Sequence, residues 1–465
     1  MQGSDIIAII VILFVTVLFV GLMKFIRSIN SIRSPVYDFE RDHREAVNNP
    51  VYKGKKNKME STFIGISPNK KNVYIPNGAK HVFVCGTTGS GKTIALSNFI
   101  KSGVIHDYPM LIIDGKGDVG QGSILEITKT LCKEKRDKKV YVINLNDPKT
   151  SDKYNPFKNT NTDVITDMLI NMTDWSEPHY KYNTERYIQR LCKLLALKDI
   201  VISLDSITHY LPTINFIKLS ADLSQQNLIT KEEHIENIEL SKTSGEIAES
   251  AAARFATIKE SDLGQIFDAS GIDIFTALKE NAVILFILNP LLYPEMSPLV
   301  GNLIIIDSKK AVSNFFQKEK KRIFYILDEI NVYASSSLLD LVNKSRSANI
   351  TCILATQSLS DLDNVTEQFK EQIIENSNNY IILRQNSSVN AEHWSNVLGT
   401  RETMQATYQI KGGNGDVQST DLGSLRKTRE YLYHPDDIKR LKTGEAIFLS
   451  RDEMLHTKIN VEKPF

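Results

Sequence analysis

The chain has 465 residues, room for two or three domains at about 150 residues each. Hydrophobic residues at 42% and charged residues at 24% exclude a disordered or fibrous chain, and 56 basic against 55 acidic side chains exclude a bulk positive field. Cys85, Cys132, Cys192 and Cys352 form no C-x-x-C pair, which excludes a disulfide scaffold or zinc ribbon and fits a reducing compartment.

Ile6 to Met23 (IIAIIVILFVTVLFVGLM) runs 18 residues without a charge, about 27 Å as a helix, close to the hydrocarbon thickness of a bilayer. Asp5 precedes it and basic residues follow, a poor match to a secretory signal. Nine basic and four acidic residues over 24–58 favour a cytoplasmic flank. The expectation is one N-terminal transmembrane helix with the soluble part in the cytoplasm. The basic flank either sets topology alone or also touches anionic lipid.

Short β patterns follow at Thr62–Ile66 and Asn72–Pro76. His81–Cys85 (HVFVC) leads into a glycine-rich loop and the helical pattern TIALSNFIKSGV. Pro109–Asp114 and Lys139–Asn144 are apolar runs rich in β-branched residues, the pattern of parallel strands buried on both faces. The next such run is Ala282–Asn289, too distant for one crossover helix. Between them, from about 160 to 270, helix formers recur with a period near 3.6, which predicts an inserted all-α domain. A helix near Val300–Phe315 and strands at Arg322–Asp328, Asn349–Thr356, Asn379–Arg384 and Glu445–Ser450 complete the pattern. Alternating strands and helices predict an α/β fold with a doubly wound, mostly parallel sheet. The stretch KGGNGDVQSTDLGS over 411–424 reads as a mobile loop.

Gly86-Thr87-Thr88-Gly89-Ser90-Gly91-Lys92-Thr93 fits G-x-x-x-x-G-K-[ST] in its required setting, a strand before and a helix after. Its glycines let backbone N–H groups cradle phosphates at a helix N-terminus, with Lys92 for the outer phosphates and Thr93 for Mg²⁺. Such a site needs a carboxylate at a strand tip, and Asp328 and Glu329 end an apolar strand: Asp328 for the metal's hydration shell, Glu329 as general base. Gln357, after the next strand, has the placement of a residue that orients water. Arg346 is either a cation supplied to a neighbouring subunit's site or a solvated helix-end arginine, with Arg254 as its rival. The implied cofactors are ATP and Mg²⁺. The expected division is a membrane anchor over 1–35, a juxtamembrane linker over 36–60, a nucleotide-binding domain over 61–159 and 276–465, and the all-α insertion over 160–275.

The loop CGTTGSGKT, IIDGKGD at 112–118, YNPF at 154–157, LDE at 327–329, Arg346 and ATQS, behind a hydrophobic N-terminus, resemble the type IV coupling proteins, ATPases of conjugation and type IV secretion. The resemblance spans about 80–450, and Gly115 replaces the family's proline in the Asp-Pro-Lys-Gly phrase. It implies a RecA-like P-loop motor forming a homo-hexamer. The implied partners are single-stranded DNA with covalently bound relaxase, the channel proteins of type IV secretion and the membrane, and the implied location is a bacterial inner membrane. Carried over residue by residue, it matches Lys92 and Thr93 to the phosphate loop, Asp328 and Glu329 to the acidic pair, Arg346 to the trans arginine and Gln357 to the sensor. Only one membrane helix is expected where many members have two, and the chain stops soon after its last expected strand, without the long tail many members carry.

DNA contact has weak support in the residues themselves. Lys411, Arg426, Lys427 and Arg429 with Tyr431 and Tyr433 suit either a strand-binding groove or a charged loop closing the sheet. Alternatives are an ATPase delivering protein effectors, an FtsK-like chromosome translocase, and a receptor that uses ATP only for shape.

Overall fold

The computed structural model describes residues 16–24, 60–78, 80–135, 137–171, 178–316, 321–363, 368–413 and 416–465. The described residues fall into two compact units, those within 57–391 and 436–465 and those within 1–56 and 392–435.

The larger unit is built on one 11-stranded sheet in the order β2-β1-β13-β12-β9-β3-β8-β7-β4-β6-β5. Its centre is parallel: β3 (His81–Cys85), β4 (Met110–Asp114), β5 (Val140–Asn144), β6 (Val283–Ile287), β7 (Ile323–Asp328), β8 (Ile350–Thr356) and β9 (Ser377–Leu383). Every residue of β3, β4, β6, β7 and β8 is buried, as continuous apolar runs require of strands covered on both faces. The margin is antiparallel: β12 (Glu445–Ser450), β13 (Leu455–Val461), β1 (Ser61–Ile66) and β2 (Asn72–Pro76). β13 lies beyond the last strand expected. Its burial alternates with polar exposed positions, so it lacks the apolar run that marks the central strands.

α1 (Lys92–Ile105) and α2 (Ile124–Lys135) flank β4 in the chain. Between β5 and β6 run α3 (Thr162–Ile170), α4 (Pro178–Leu197), α5 (Leu204–Tyr210), α6 (Thr213–Gln225), α7 (Lys231–Glu260) and α8 (Ile274–Lys279), with no strand among the described residues. Their starts are written locally. Thr230 and Glu233 form a reciprocal capping box on α7, Ser203 and Ser206 one on α5, and Asn161 caps α3. After β6 come α9 (Met296–Phe316), α10 (Ser336–Ser345), α11 (Phe369–Asn376), α12 (Ser388–Leu398) and α13 (Pro435–Lys439).

In the smaller unit, β10 (Thr400–Gly413) and β11 (Asp416–Tyr431) pair as a long antiparallel ribbon. The stretch over 411–424, expected as a loop, is thus mostly strand. Pairing with β10 supplies the order that its glycine-rich composition hides.

Among the described residues no helix is long and apolar enough to cross a membrane. This overturns the single-pass span at Ile6–Met23 and the inner-membrane placement built on it. Of that stretch residues 16–24 are described, and they are helical. Residues 1–15 and 25–35 of the expected anchor lie outside the described residues.

Candidate functional site

The tips of β3, β8, β7 and β4 lie side by side at one edge of the sheet. From β3 the chain turns through 86–91 into α1. Gly91, at the N-cap, has φ 112°, a left-handed backbone that costs a side chain and suits glycine. The loop is braced from distant segments. Gly86 N–H donates to Thr356 O (3.3 Å) and Thr87 N–H to Arg384 O (3.0 Å). The Ser90 hydroxyl donates to Thr87 O (2.6 Å), and Gly444 N–H donates to Ser90 O (2.8 Å). Thr443 Oγ1 adds a bond to Gly89 O (3.2 Å).

Lys92, the first residue of α1, points at the acids that end β7. Its ammonium lies 2.6 Å from Glu329 Oε2 and 3.5 Å from Asp328 Oδ1, with its side chain 10% exposed. Burial disfavours its charge, but Asp328 and Glu329 outweigh burial and hold its pKa above the ordinary lysine value. Asp328 is pushed above the usual carboxylate range by burial, with Lys92 offsetting part of the rise.

A third carboxyl completes the group. Asp114 ends β4 in direct register with Asp328. Its Oδ1 accepts the N–H groups of Lys116 (2.9 Å) and Gly117 (3.2 Å). Burial and then the Asp328 charge raise its pKa to about 7. Sequence reasoning quoted Asp114 in IIDGKGD without giving it a role. The available signal was an acid closing an apolar strand, the same signal that marks Asp328.

Glu329 has φ 54° and ψ 52°, the left-handed region, which costs a non-glycine residue about 1–2 kcal/mol. Its N–H donates to Asp328 Oδ1 (2.9 Å), and the short 3-10 turn Ile330–Tyr333 follows. Gly115 makes room for it. A Cβ at 115 would lie 2.9 Å from Asp328 O, Glu329 O and Glu329 Cβ, and Gly115 N–H donates to Asp328 O (3.2 Å). Proline there would bring the clash and lose the bond, so the glycine is fitted to this turn.

Gln357 follows β8, and its Oε1 accepts the Thr88 hydroxyl at 2.8 Å, joining it to the loop. Asp361 lies near enough to Glu329 for that charge, after burial, to raise its pKa. Arg346 is elsewhere. It is exposed, precedes the first residue of β8, and lies at the opposite edge of the sheet from its own phosphate loop. The seven residues of β8 put about 20 Å between the two edges. Arg254, on α7, lines a cleft of about 660 Å³ with Val332 and Tyr333.

This edge brings together the amides of 86–93, Lys92, Asp114, Asp328, Glu329 and Gln357. Two carboxyls, Asp328 and Glu329, lie against the Lys92 ammonium and a third, Asp114, is near Asp328, a deficit of positive charge. Among the described residues no three acidic, histidine or cysteine side chains are grouped to hold a metal by themselves, so the oxygen donors here fit Mg²⁺ that shares phosphate oxygens, and the looped amides fit phosphate. On the other unit, strand alternation puts Lys427, Arg429 and Tyr431 on one face of β11, with Arg426 on the other. Arg426, Lys427 and Arg429 are exposed.

Two protein-family models match the chain. One, described as the type IV secretion-system coupling protein DNA-binding domain, matches residues 149–462. The other, described as type IV secretory system conjugative DNA transfer, matches 24–266. The unbound monoclinic form of the bacterial conjugative coupling protein TrwBdeltaN70 is similar with a TM-score of 0.62 and 17% identity, covering 88% of this chain and 89% of that one. The plasmid coupling protein TrwB in complex with ADP and Mg²⁺ gives 0.58 at 17% identity, covering 89% and 91%. An uncharacterized protein of Mycoplasma pneumoniae is 29% identical over 122 residues, 26% of this chain and 81% of its own length. At 17% identity the two TrwB structures speak to the fold.

Proposed function

The chain belongs to the type IV secretion-system coupling proteins, and from that premise we propose that it moves relaxase-bound single-stranded DNA into a secretion channel at the expense of ATP. It is a RecA-like P-loop ATPase that works with ATP and Mg²⁺. The observation carrying the reading is the pairing of Lys92 with Glu329 at 2.6 Å beneath the braced loop 86–91.

Thr93 and Asp328 are the residues to hold Mg²⁺, which when bound neutralises phosphate charge. The loop amides hold the nucleotide's phosphates, and Lys92 leaves the acids to reach the outer ones. That exchange frees Glu329 to accept the proton of the attacking water, a role worth about 10²–10⁴ in rate. Gln357 orients that water, and its bond from Thr88 ties its position to the loop. Asp114 keeps its backbone bonds and crowds Asp328 with negative charge, which favours cation uptake.

Arg346 cannot reach its own chain's loop, so its catalytic use requires a neighbour whose site it completes, as in a homo-hexameric ring. We read 160–275 as an all-α domain inserted into a nucleotide-binding domain over 61–159 and 276–465. The face of β11 bearing Lys427, Arg429 and Tyr431 has the charge and ring needed for a DNA strand. Steady-state ATP hydrolysis with and without single-stranded DNA tests the reading. Turnover should rise with added strand, and a flat rate would remove DNA as cargo while leaving the ATPase intact.

A further inference from the structure

The chain leaves the sheet after β5 and returns before β6, and the two passages meet at one root. Tyr154 bridges to Phe267 and Ile272. Its N–H donates to Ile266 O (2.9 Å), while Asn155 N–H donates to Ile272 O (2.9 Å). The Asn155 side-chain amide ties in Ile202 O (3.1 Å). YNPF at 154–157 is therefore the clasp of the helical segment, away from the phosphate edge.

Helix α9 inserts two charges into this root. The Tyr154 hydroxyl donates to Asp307 Oδ2 (2.8 Å), which also accepts Ile274 N–H (3.2 Å). The Lys310 ammonium donates to Pro156 O (2.7 Å) and Lys158 O (2.8 Å), and lies 2.7 Å from Asp307 Oδ1 and 3.7 Å from Asp273 Oδ2. Both aspartates are fully buried. Burying ions costs about as much as their pairing returns, so such a cluster adds little stability over apolar packing. What it supplies is one fixed geometry for the strands entering and leaving the helices.

Further toward its N-terminus, α9 meets the turn after Glu329. A Cβ at Gly301 would lie 2.6 Å from Tyr333 Cβ, so helix and turn are in close contact. Among the described residues the helical segment reaches that turn through one bridge, Asn302, whose Nδ2 donates to Asn171 O (2.9 Å) while its Oδ1 accepts the Ser335 hydroxyl (3.1 Å). Beside that bridge lies the cleft of about 660 Å³, lined by Asn171, Arg254 and Ile258 of the helical segment and by Leu299, Val332 and Tyr333. It has room for ~20 waters. The segment is bolted at its root by a buried ion cluster and held near the turn after Glu329 by the Asn302 bridge, beside an open cleft. Glu329, in its strained backbone conformation, is the element able to change state when Lys92 lets go.

We propose that Tyr154, Asp307 and Lys310 are positioning residues forming a pivot on which the helical segment rocks. Relaxation of the Glu329–Tyr333 turn on nucleotide binding narrows the cleft and is carried through α9 to the root. The proposal rests on the nucleotide site above and gives ATP turnover a mechanical route to whatever load the helices hold.

Hydrogen exchange on the full chain, with and without a non-hydrolysable ATP analogue and Mg²⁺, tests it in wild type and Tyr154→Phe. That variant deletes one hydroxyl and keeps the ring against Phe286. In wild type the analogue should slow exchange in both 86–93 and 231–260, the latter by ~3-fold or more. Tyr154→Phe should protect 86–93 equally and lose the response in 231–260, which a merely stabilising hydroxyl would not do. A full response in the variant, or protection of 86–93 without any in 231–260 of wild type, overturns the pivot alone. No protection of 86–93 overturns the nucleotide-site reading, and the pivot falls with it.

Discussion

Lys92 and Lys310 each lie against two carboxylates, with side chains 10% and 4% exposed. Lys310 also donates to two backbone carbonyls that no ligand displaces, whereas Lys92 contacts only side-chain carboxylates at the end of a glycine-rich loop. The backbone around Lys310 is locked by bonds between two passages of chain, while Glu329, facing Lys92, sits in a left-handed conformation. Both regions bury charge. One commits its cation to the fold, the other holds its cation in an arrangement a phosphate can exchange.

The widest separation between the two should come from removing the cations. Lys92→Ala should lower ATP turnover by at least about 100-fold, with circular dichroism unchanged. Retained turnover would move the site away from this edge. Lys310→Met should act on stability instead, costing about 3–5 kcal/mol because it leaves Asp307 and Asp273 uncompensated. Urea unfolding measures it, and a loss under 1 kcal/mol would show that the root is not a committed ion cluster.

A smaller effect sharpens the contrast through pH. His81, at the start of β3, bonds Val342 O (2.8 Å), accepts Cys352 N–H (3.0 Å), and has its pKa lowered to about 4, chiefly by burial. The folded chain therefore keeps it neutral while the unfolded chain binds a proton near pH 6.5. Its contribution is present above pH 6.5 and is lost as pH falls toward 4, up to about 3 kcal/mol. His81→Gln should flatten that part of the stability profile, and an unchanged profile would assign the acid sensitivity elsewhere.

The phosphate edge was legible because its chemistry is local. The motif 86–93, the run ending at Asp328-Glu329 and Gln357 after β8 each announce themselves within a few residues. Asp114 was half legible, since its proximity to Asp328 is a matter of strand register, invisible until β4 and β7 are paired. The root was not, because YNPF at 154–157 carried only the resemblance and its partners Asp307 and Lys310 lie some 150 residues away in the chain. The long ribbon β10–β11 hid behind glycine and serine, its order coming from cross-strand pairing rather than from an apolar run. At the N-terminus the hydrophobic pattern suggested a full span, whereas among the described residues no helix is long and apolar enough to cross a membrane.

The most direct test is the hydrolysis rate and nucleotide affinity of Glu329→Gln measured side by side. The amide keeps the shape and neutralises the base, so ATP should bind as tightly as in wild type while turnover falls by about 10²–10⁴. Turnover at the wild-type rate would contradict the assignment of this strand tip as the hydrolytic centre.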